Sequence, residues 1–247
     1  MSTAVQLAIE SLPVPREWTW RVEVRPRRRT LGIEIAPDGS VFFAVPEGAD
    51  PRAVAEAVRG RLPRLAREVA RRRARAEESV KELIGGTSFS YLGRRYRLRM
   101  VDPPGGGVRP EVRLRQGWLE LPAPADDAEG ARLIAAWYTA RGARWLAART
   151  PPLATRVGVA PPEVAVEDLG PRWGSCGPRG VITVHWAVMQ LPPALIDLVL
   201  VHELVHLEVR GHGAEFRRRV RLALPDAEER ERRFGAEEPL LWRGAVR

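Results

Sequence analysis

Three of the four histidines in the chain, His202, His206 and His212, lie close together in the sequence. His202 and His206 are four residues apart, with Glu203 directly after the first, in the sequence HELVH. Residues four apart share one face of an α-helix, so both imidazoles can reach a single ion. The pattern predicts a zinc site with Glu203 as general base, because zinc lowers the pKa of its bound water and the glutamate takes the proton. This chemistry suits peptide hydrolysis.

The segment before the motif supports this interpretation. Residues 193–201 read PALIDLVLV, which predicts a helix that begins at a proline and is buried on nearly all sides. The five-residue HExxH motif also occurs by chance on ordinary helices. Buried ionisable groups are costly unless they are paired, hydrogen-bonded or bound to a metal. An interpretation as ordinary core histidines would have to explain three such groups together, so we favour a metal site.

A third protein ligand is expected, because catalytic zinc sites usually combine three ligands with one open position. His212 has the spacing of the metzincin motif, although Val209 occupies that motif's glycine position. Gly211 predicts a helix end, after which the chain would bend, present His212 and begin another helix near Gly213. The alternative is a glutamate of the following helix. The candidates are Glu228, Glu229 and Glu231. We favour His212 because histidines are scarce in this chain.

Further motifs surround the histidines. They are RWGSC at residues 172–176, GVITVHW at 180–186, the segment 193–206, and GHGAEF at 211–216. The first half of the chain adds RRRT at 27–30, PDG at 37–39, AVP at 44–46 and YLGRRY at 91–96. In these motifs the chain resembles the YgjP-like zinc metallopeptidases, which are related more distantly to the SprT-like proteases.

The resemblance implies a zincin-type site. By position it implies zinc on His202, His206 and His212, with Glu203 as general base. The family more often has asparagine where this chain has His185.

Composition bounds the class of protein. With 247 residues the chain can bury one large core or two smaller ones. Cys176 is the only cysteine, which excludes an intramolecular disulfide and fits a reducing compartment. Residues 1–14 lack a basic leader and a long apolar stretch, so no signal peptide is expected. No segment approaches the ~20 apolar residues that cross a bilayer. We predict a cytoplasmic protein that does not bind membranes.

The net charge of +9 raises the question of nucleic acid. Arginines cluster at residues 25–29 and 71–73, yet Lys81 is the only lysine, a skew typical of a GC-rich coding sequence. The sequence has no basic repeat interleaved with aromatics, no helix-turn-helix signal and no RNP motif. We therefore favour a solvated basic surface and a peptide or protein substrate, and keep nucleic acid as a weaker candidate partner.

The chain divides near the PAPA sequence at residues 122–125, into a β-rich portion (1–124) and a zincin-like portion (125–247). In the first portion, strands are predicted at 18–24, 31–35 and 41–45, the last two joined by the PDG turn. Asp50 and Pro51 predict the start of a long helix that continues to about Leu83, before Gly85 and Gly86. Short strands follow at 91–100 and 112–121.

The second portion is predicted to begin with a helix capped by Asp126 or Asp127. Its packing residues are Leu133, Ile134, Trp137, Tyr138 and Trp145. Residues 164–169 and 181–186 predict a β-hairpin just before the metal helix. One strand of this hairpin would lie at a sheet edge and pair with an extended substrate. Together the elements predict an α+β fold.

Two residues near the predicted site are not assigned to it. Cys176 lies in a Gly-Ser-Cys-Gly turn, where a small residue fits, and we leave it out of the ligand set. His185 alternates with Trp186 along its strand, so only one of the two is expected to face the core. An exposed or hydrogen-bonded strand histidine is favoured over one that orients substrate.

Two other functions fit the same motif. One is zinc-dependent hydrolysis of nucleotide pyrophosphates, an activity proposed within the family that the chain resembles, in which Arg172 and the arginine-rich strand would bind phosphates. The other is a zinc-stabilised binding module without turnover. It predicts a closed fourth coordination position and no activity that depends on Glu203.

Overall fold

The structure, a computed structural model, describes residues 2–26, 28–36, 39–102, 111–177 and 179–247. The chain forms two compact units, Met1–Glu78 and Ser79–Arg247. The second unit therefore contains the strands that precede residue 124 as well as the C-terminal helices. The functional division predicted near residue 124 stays a prediction.

The first unit consists of one three-stranded sheet and three helices. Its elements are α1 (Ser2–Glu10), β1 (Trp20–Val24), β2 (Gly32–Ile35), β3 (Val41–Val45), α2 (Pro51–Arg59) and α3 (Leu62–Ser79). The central strand β3 pairs parallel with β1 and antiparallel with β2. Its buried side chains, among them Val41 and Phe43, pack with residues of the helices such as Val58. Of the predicted turn between β2 and β3, Pro37 and Asp38 lie outside the described residues.

The prediction of one long helix from Pro51 to about Leu83 is wrong, because two helices occupy this stretch. Its start is as predicted, since the Asp50 carboxylate accepts hydrogen bonds from the N–H groups of Arg52 and Ala53 at 3.1 and 3.3 Å. The interruption follows Gly60, because Pro63 is the second residue of α3. Proline lacks an N–H donor and its ring clashes with a preceding helical turn, so it is favoured in a helix's first turn and costs about 3 kcal/mol in a helix interior. The second helix ends at Ser79.

The second unit contains two sheets and four helices among its described residues. Its elements are β4 (Ser88–Tyr91), β5 (Arg94–Val101), β6 (Arg113–Arg115), β7 (Trp118–Pro122), α4 (Asp127–Val157), β8 (Val164–Glu167), β9 (Gly174–Cys176), β10 (Ile182–His185), α5 (Pro193–His206), α6 (Ala214–Ala223) and α7 (Ala227–Glu237). Single 3-10 turns follow β10 and α7. The four-stranded sheet has the order β4-β5-β7-β6. The molecule is thus an α+β protein, as predicted.

The helix α4 begins where the sequence indicates. The Asp126 carboxylate accepts a hydrogen bond from the N–H of Glu129 at 2.7 Å and caps the helix. Ile134, Trp137 and Tyr138 are buried in the core of the unit, whereas Leu133 and Trp145 are partly exposed and pack at its margin.

The prediction of a β-hairpin before the metal helix is wrong. The strands β8 and β10 run parallel, and a third strand, β9, pairs antiparallel with β10. Parallel neighbours need a crossover connection, and the crossover contains β9, which is formed by the last three residues of the RWGSC sequence. The sheet order β8-β10-β9 makes β9 an outer strand.

The helix α5 crosses the core of the second unit. Its residues from Leu195 to Val201 are all buried, including Asp197, whose side chain is 5% exposed. Both carboxylate oxygens of Asp197 accept hydrogen bonds from Arg149 of α4, at 2.6 and 2.7 Å. Arg230 of α7 lies 3.9 Å away. The one charge in this apolar segment therefore fixes α5 against two neighbouring helices.

No helix in the described residues combines the length and the apolar composition needed to cross a bilayer.

Candidate metal centre

Three imidazoles converge at the C-terminal end of α5. His202 and His206 lie on the last two turns of this helix, and His212 belongs to the loop before α6. The three Nε2 atoms are 3.2, 3.2 and 3.0 Å apart. Among the described residues, no cysteine, aspartate or glutamate joins this cluster. The glutamates of α7 that were considered as alternative ligands, Glu228, Glu229 and Glu231, therefore lie outside it.

The loop after α5 turns His212 back toward the helix. Gly211 has a φ of 78°, in the left-handed region that favours glycine. The next helix begins at Ala214, close to the start predicted from the sequence. Arg217 of this helix donates a hydrogen bond to the backbone carbonyl of His212 at 2.7 Å. This hydrogen bond ties the backbone carbonyl of His212 to α6.

The donor atoms fit a divalent ion such as zinc. Tetrahedral zinc with bonds of about 2.0–2.1 Å to nitrogen places its ligand atoms about 3.3 Å apart, close to the separations found here. The Nδ1 of His206 lies 3.0 Å from the carbonyl oxygen of Val209. A proton on Nδ1 donates to this carbonyl and leaves the Nε2 lone pair free for a metal.

The surroundings of His202 and His212 favour their neutral forms. Burial, followed by the neighbouring His206 and His212, lowers the pKa of His202 to about 4. Burial, followed by His206, also lowers the pKa of His212. Neutral imidazole is the form that binds a metal. Phe216 packs on this cluster, with its ring centroid 4.6–4.8 Å from those of all three imidazoles.

Glu203 is buried beside the outer strand β9. A Cβ atom built on Gly174 would lie 2.5 Å from Oε1 of Glu203, so the strand backbone passes directly over the carboxylate. Burial raises the pKa of Glu203 to about 7, and the positive charge of Arg172 opposes this rise. A carboxylate that titrates near neutral pH can both accept and return a proton.

Among the described residues, no further strand pairs with the outer edge of β9. The N–H of His185 donates to the carbonyl of Trp173, and that of Gly177 to the carbonyl of Val181, both at 2.9 Å. Because hydrogen-bonded pairs alternate along an antiparallel ladder, Ser175 also faces β10. The peptide groups of Gly174 and Cys176 therefore point away from β10, toward the edge of the sheet.

Cys176 and His185 are not part of the histidine cluster. Burial raises the pKa of the Cys176 thiol, and the charge of Glu203 raises it further. His185 and Trp186 are both buried, so the prediction that only one would face the core is wrong. Trp186 begins a 3-10 turn, where the alternation of a strand no longer applies. The Nδ1 of His185 accepts a hydrogen bond from the N–H of Ala187 at 3.0 Å, so His185 caps this turn.

Three residues at the site have positions that the sequence did not predict. They are Gly174, which approaches Glu203; Phe216, which packs on the histidines; and Arg243, whose guanidinium lies 3.9 Å from the ring of Trp173. A glycine inside a strand often marks a close approach of another group, and this signal could have identified Gly174.

Comparison with known proteins identifies the family. The family described as YgjP-like, metallopeptidase domain, matches residues 29–237 of the chain. No curated protein and no solved structure matches it significantly. The matched segment spans most of the chain and includes all three clustered histidines and Glu203. The chain therefore belongs to the YgjP-like metallopeptidase family.

Proposed function

We propose that this protein is a zinc-dependent metallopeptidase, in which His202, His206 and His212 hold the zinc ion and Glu203 is the general base. The convergence of three Nε2 atoms carries the proposal. A set of three imidazole nitrogens suits zinc better than magnesium or calcium, which prefer oxygen ligands. Membership of a metallopeptidase family supports a metal-dependent hydrolase.

The roles of the side chains follow from this assignment. Zinc, when bound, would activate a water molecule and polarise the scissile carbonyl. The Glu203 carboxylate would accept the proton of the attacking water and return it to the leaving amine. Its buried position beside Gly174 supports this role, because a raised pKa makes transfer in both directions accessible near neutral pH.

An extended peptide would bind along β9. The outward N–H and C=O groups of Gly174 and Cys176 supply the hydrogen-bonding pattern that an added strand needs. Gly174 has no side chain, so a peptide paired with the strand would approach the Glu203 carboxylate closely. This assigns the substrate-pairing role to the outer strand of the sheet, in place of the hairpin expected from the sequence.

This strand edge favours peptide hydrolysis over hydrolysis of nucleotide pyrophosphates. A pyrophosphate is bound most strongly by several cationic donors directed at the same point. Among the described residues, Arg172 is the cation whose charge lowers the pKa of Glu203, and its guanidinium is 3.3 Å from the Ser175 hydroxyl. A peptide backbone, in contrast, matches the groups that β9 presents.

Metal analysis combined with product identification tests the proposal. Wild type, Glu203→Gln, His212→Ala and Glu228→Gln would be purified, analysed for zinc, and incubated separately with a peptide library and with nucleoside triphosphates. We expect about one zinc per chain in wild type, Glu203→Gln and Glu228→Gln, and loss of zinc in His212→Ala. Peptide cleavage should fall at least about a hundredfold in Glu203→Gln and stay unchanged in Glu228→Gln.

Other outcomes would overturn parts of this assignment. Zinc lost in Glu228→Gln and kept in His212→Ala would move the third ligand to α7. Pyrophosphate release that depends on Glu203, without peptide cleavage, would replace the substrate class. Zinc without any turnover would indicate a binding module.

A further inference from the structure

A groove runs along the first unit between the strand β2 and the helix α3. Its volume is about 730 Å³. The floor is aliphatic, formed by Leu31, Ile33 and Ile35 of the strand side together with Leu65 of the helix. Arginines of α3 and of the residue before it form the rim, namely Arg61, Arg64, Arg67, Arg71 and Arg72. The groove therefore combines an apolar floor with a positively charged wall.

The strand β2 borders this groove with an edge to which no strand in the described part of the chain is paired. It is an outer strand of its sheet, whose order is β1-β3-β2. The N–H of Ala36 donates to the carbonyl of Ser40 at 2.8 Å. This bond shows which residues of β2 direct their peptide groups toward β3. Because hydrogen-bonded pairs alternate in an antiparallel ladder, Gly32 and Glu34 face β3. The peptide groups of Ile33 and Ile35 therefore point outward.

A contact with α3 agrees with this orientation. The Arg72 guanidinium donates a hydrogen bond to the carbonyl oxygen of Ile35. The outward carbonyl of Ile35 therefore already accepts a hydrogen bond from an arginine of the groove wall. In the part of the chain that the structure describes, the outward N–H and C=O groups of Ile33 have no such partner, so they are available to an added strand.

The charge on the groove wall is only partly neutralised. Arg71 and Arg72 both pair with Glu68, at 2.6 and 2.9 Å. Arg61, Arg64 and Arg67 are exposed, and none of the carboxylates that the structure describes lies within ion-pair distance of them. These three guanidinium groups leave an excess of positive charge along the groove.

We infer that this groove binds an extended acidic peptide segment, which adds a strand to β2 and places apolar side chains on the aliphatic floor. Strand addition uses main-chain hydrogen bonds for affinity and neighbouring side chains for selectivity. Acidic residues of the peptide would pair with Arg61, Arg64 and Arg67. A single-stranded nucleic acid fits less well, because such sites usually offer aromatic rings for base stacking and this floor has none among its described lining residues.

Binding of synthetic peptides to the full chain tests this inference without any need for catalysis. The probe is a short fluorescein-labelled peptide in which glutamate alternates with valine, and anisotropy is measured at about physiological salt, where screening removes weak surface attraction. A second peptide replaces glutamate by lysine, and a third replaces alternate valines by proline, which cannot donate strand hydrogen bonds. Labelled oligothymidylate represents nucleic acid.

Two sets of variants separate the groove from general electrostatic attraction. The groove variant is Arg61→Glu/Arg64→Glu/Arg67→Glu. The control is Arg16→Glu/Arg52→Glu/Arg59→Glu, which makes the same charge change at exposed positions outside the groove lining. Arg64→Gln alone is a milder groove variant. Ile33→Pro removes the outward N–H of the strand edge.

The acidic peptide should bind saturably, and its affinity should fall at least about tenfold in the groove variant and severalfold in Arg64→Gln and Ile33→Pro. The control variant should bind it nearly as wild type does, and the lysine and proline peptides should bind weakly. Absence of saturable binding, an equal loss in both triple variants, or tighter binding of oligothymidylate would overturn the inference. The metallopeptidase proposal would be unaffected by any of these results.

Discussion

Gly174 and Glu203 are in direct contact across the space between β9 and α5. A Cβ atom at position 174 would lie 2.5 Å from Oε1 of the glutamate and 2.7 Å from its Cγ. The carboxylate is therefore confined by strand backbone on one side and by its own helix on the other. In the proposed mechanism, this contact sets the distance between the general base and a peptide paired with the strand.

The substitution Gly174→Ala tests this contact. The added methyl group would displace the carboxylate or the strand, and a shift of about 1 Å at a reacting group can lower the rate about a hundredfold. We expect kcat/KM for peptide cleavage to fall by at least this factor while zinc content stays at the wild-type level. The control is Gly235→Ala, because a Cβ at Gly235 would meet no atom within 4 Å. Full activity in Gly174→Ala would show that the contact does not matter.

Phe216 is expected to support metal binding through its packing on the three imidazoles. The substitution Phe216→Leu keeps a buried apolar side chain but removes the flat ring that contacts His202, His206 and His212. Because residues around metal ligands typically change affinity 10–100-fold, we expect zinc to bind about tenfold more weakly, as measured by competition with a chromogenic chelator. Phe234→Leu is the matched control, since Phe234 contacts Trp173. Equal zinc affinity in both variants would remove this role of Phe216.

Asp197 is expected to stabilise the fold. Its carboxylate receives two hydrogen bonds from Arg149, and Arg230 lies nearby. Hydrogen bonds to charged groups contribute roughly 1.5–3 kcal/mol, and the partial exposure of Arg149 reduces the contribution of this pair. We expect Asp197→Ala to lower the free energy of unfolding by about 2 kcal/mol in urea denaturation, and Asp197→Asn to lower it less. Unchanged denaturation midpoints would contradict this expectation.

His185 is expected to make stability depend on pH. Burial, followed by the charge of Arg243, lowers the pKa of His185 to about 4, from an ordinary value of 6.5. Between these values the unfolded chain binds more protons than the folded protein, so stability falls as the pH decreases from about 6.5 toward 4. The free energy of unfolding should therefore fall by about 2 kcal/mol between pH 7 and pH 5 because of this residue.

The variant His185→Asn isolates this effect. Asparagine can still accept the hydrogen bond from the N–H of Ala187 but does not titrate. Since the other three histidines are present in both proteins, the difference between the two pH dependences reports His185. If the free energy of unfolding fell by the same amount between pH 7 and pH 5 in wild type and in the variant, the pKa of His185 would not be lowered.

Much of the candidate site follows from local sequence. The spacing of His202 and His206 places both imidazoles on one helix face, and Gly211 indicates the bend that returns His212 to them. The caps formed by Asp50 and Asp126 were also predictable, because a capping aspartate acts on N–H groups only two or three residues away. These features depend on contacts that are short in sequence.

Other features depend on pairing between distant residues and were not predictable from local patterns. The strand β9 has only three residues, including a glycine and a cysteine, so its β propensity is weak. It forms because it pairs with β10 and packs against α5, and neither partner is visible in the local sequence. The interruption before α3 differs, because Pro63 signals it locally, although many helix-forming residues lie on either side.

X-ray absorption at the zinc edge tests the central claim most directly. The protein would be loaded with one equivalent of zinc and compared with His212→Ala and Cys176→Ser. We predict three imidazole nitrogens and one oxygen donor at about 2.0–2.1 Å in wild type, one imidazole fewer in His212→Ala, and an unchanged spectrum in Cys176→Ser. A sulfur donor near 2.3 Å, or a wild-type spectrum that His212→Ala leaves unaltered, would contradict the proposed metal centre.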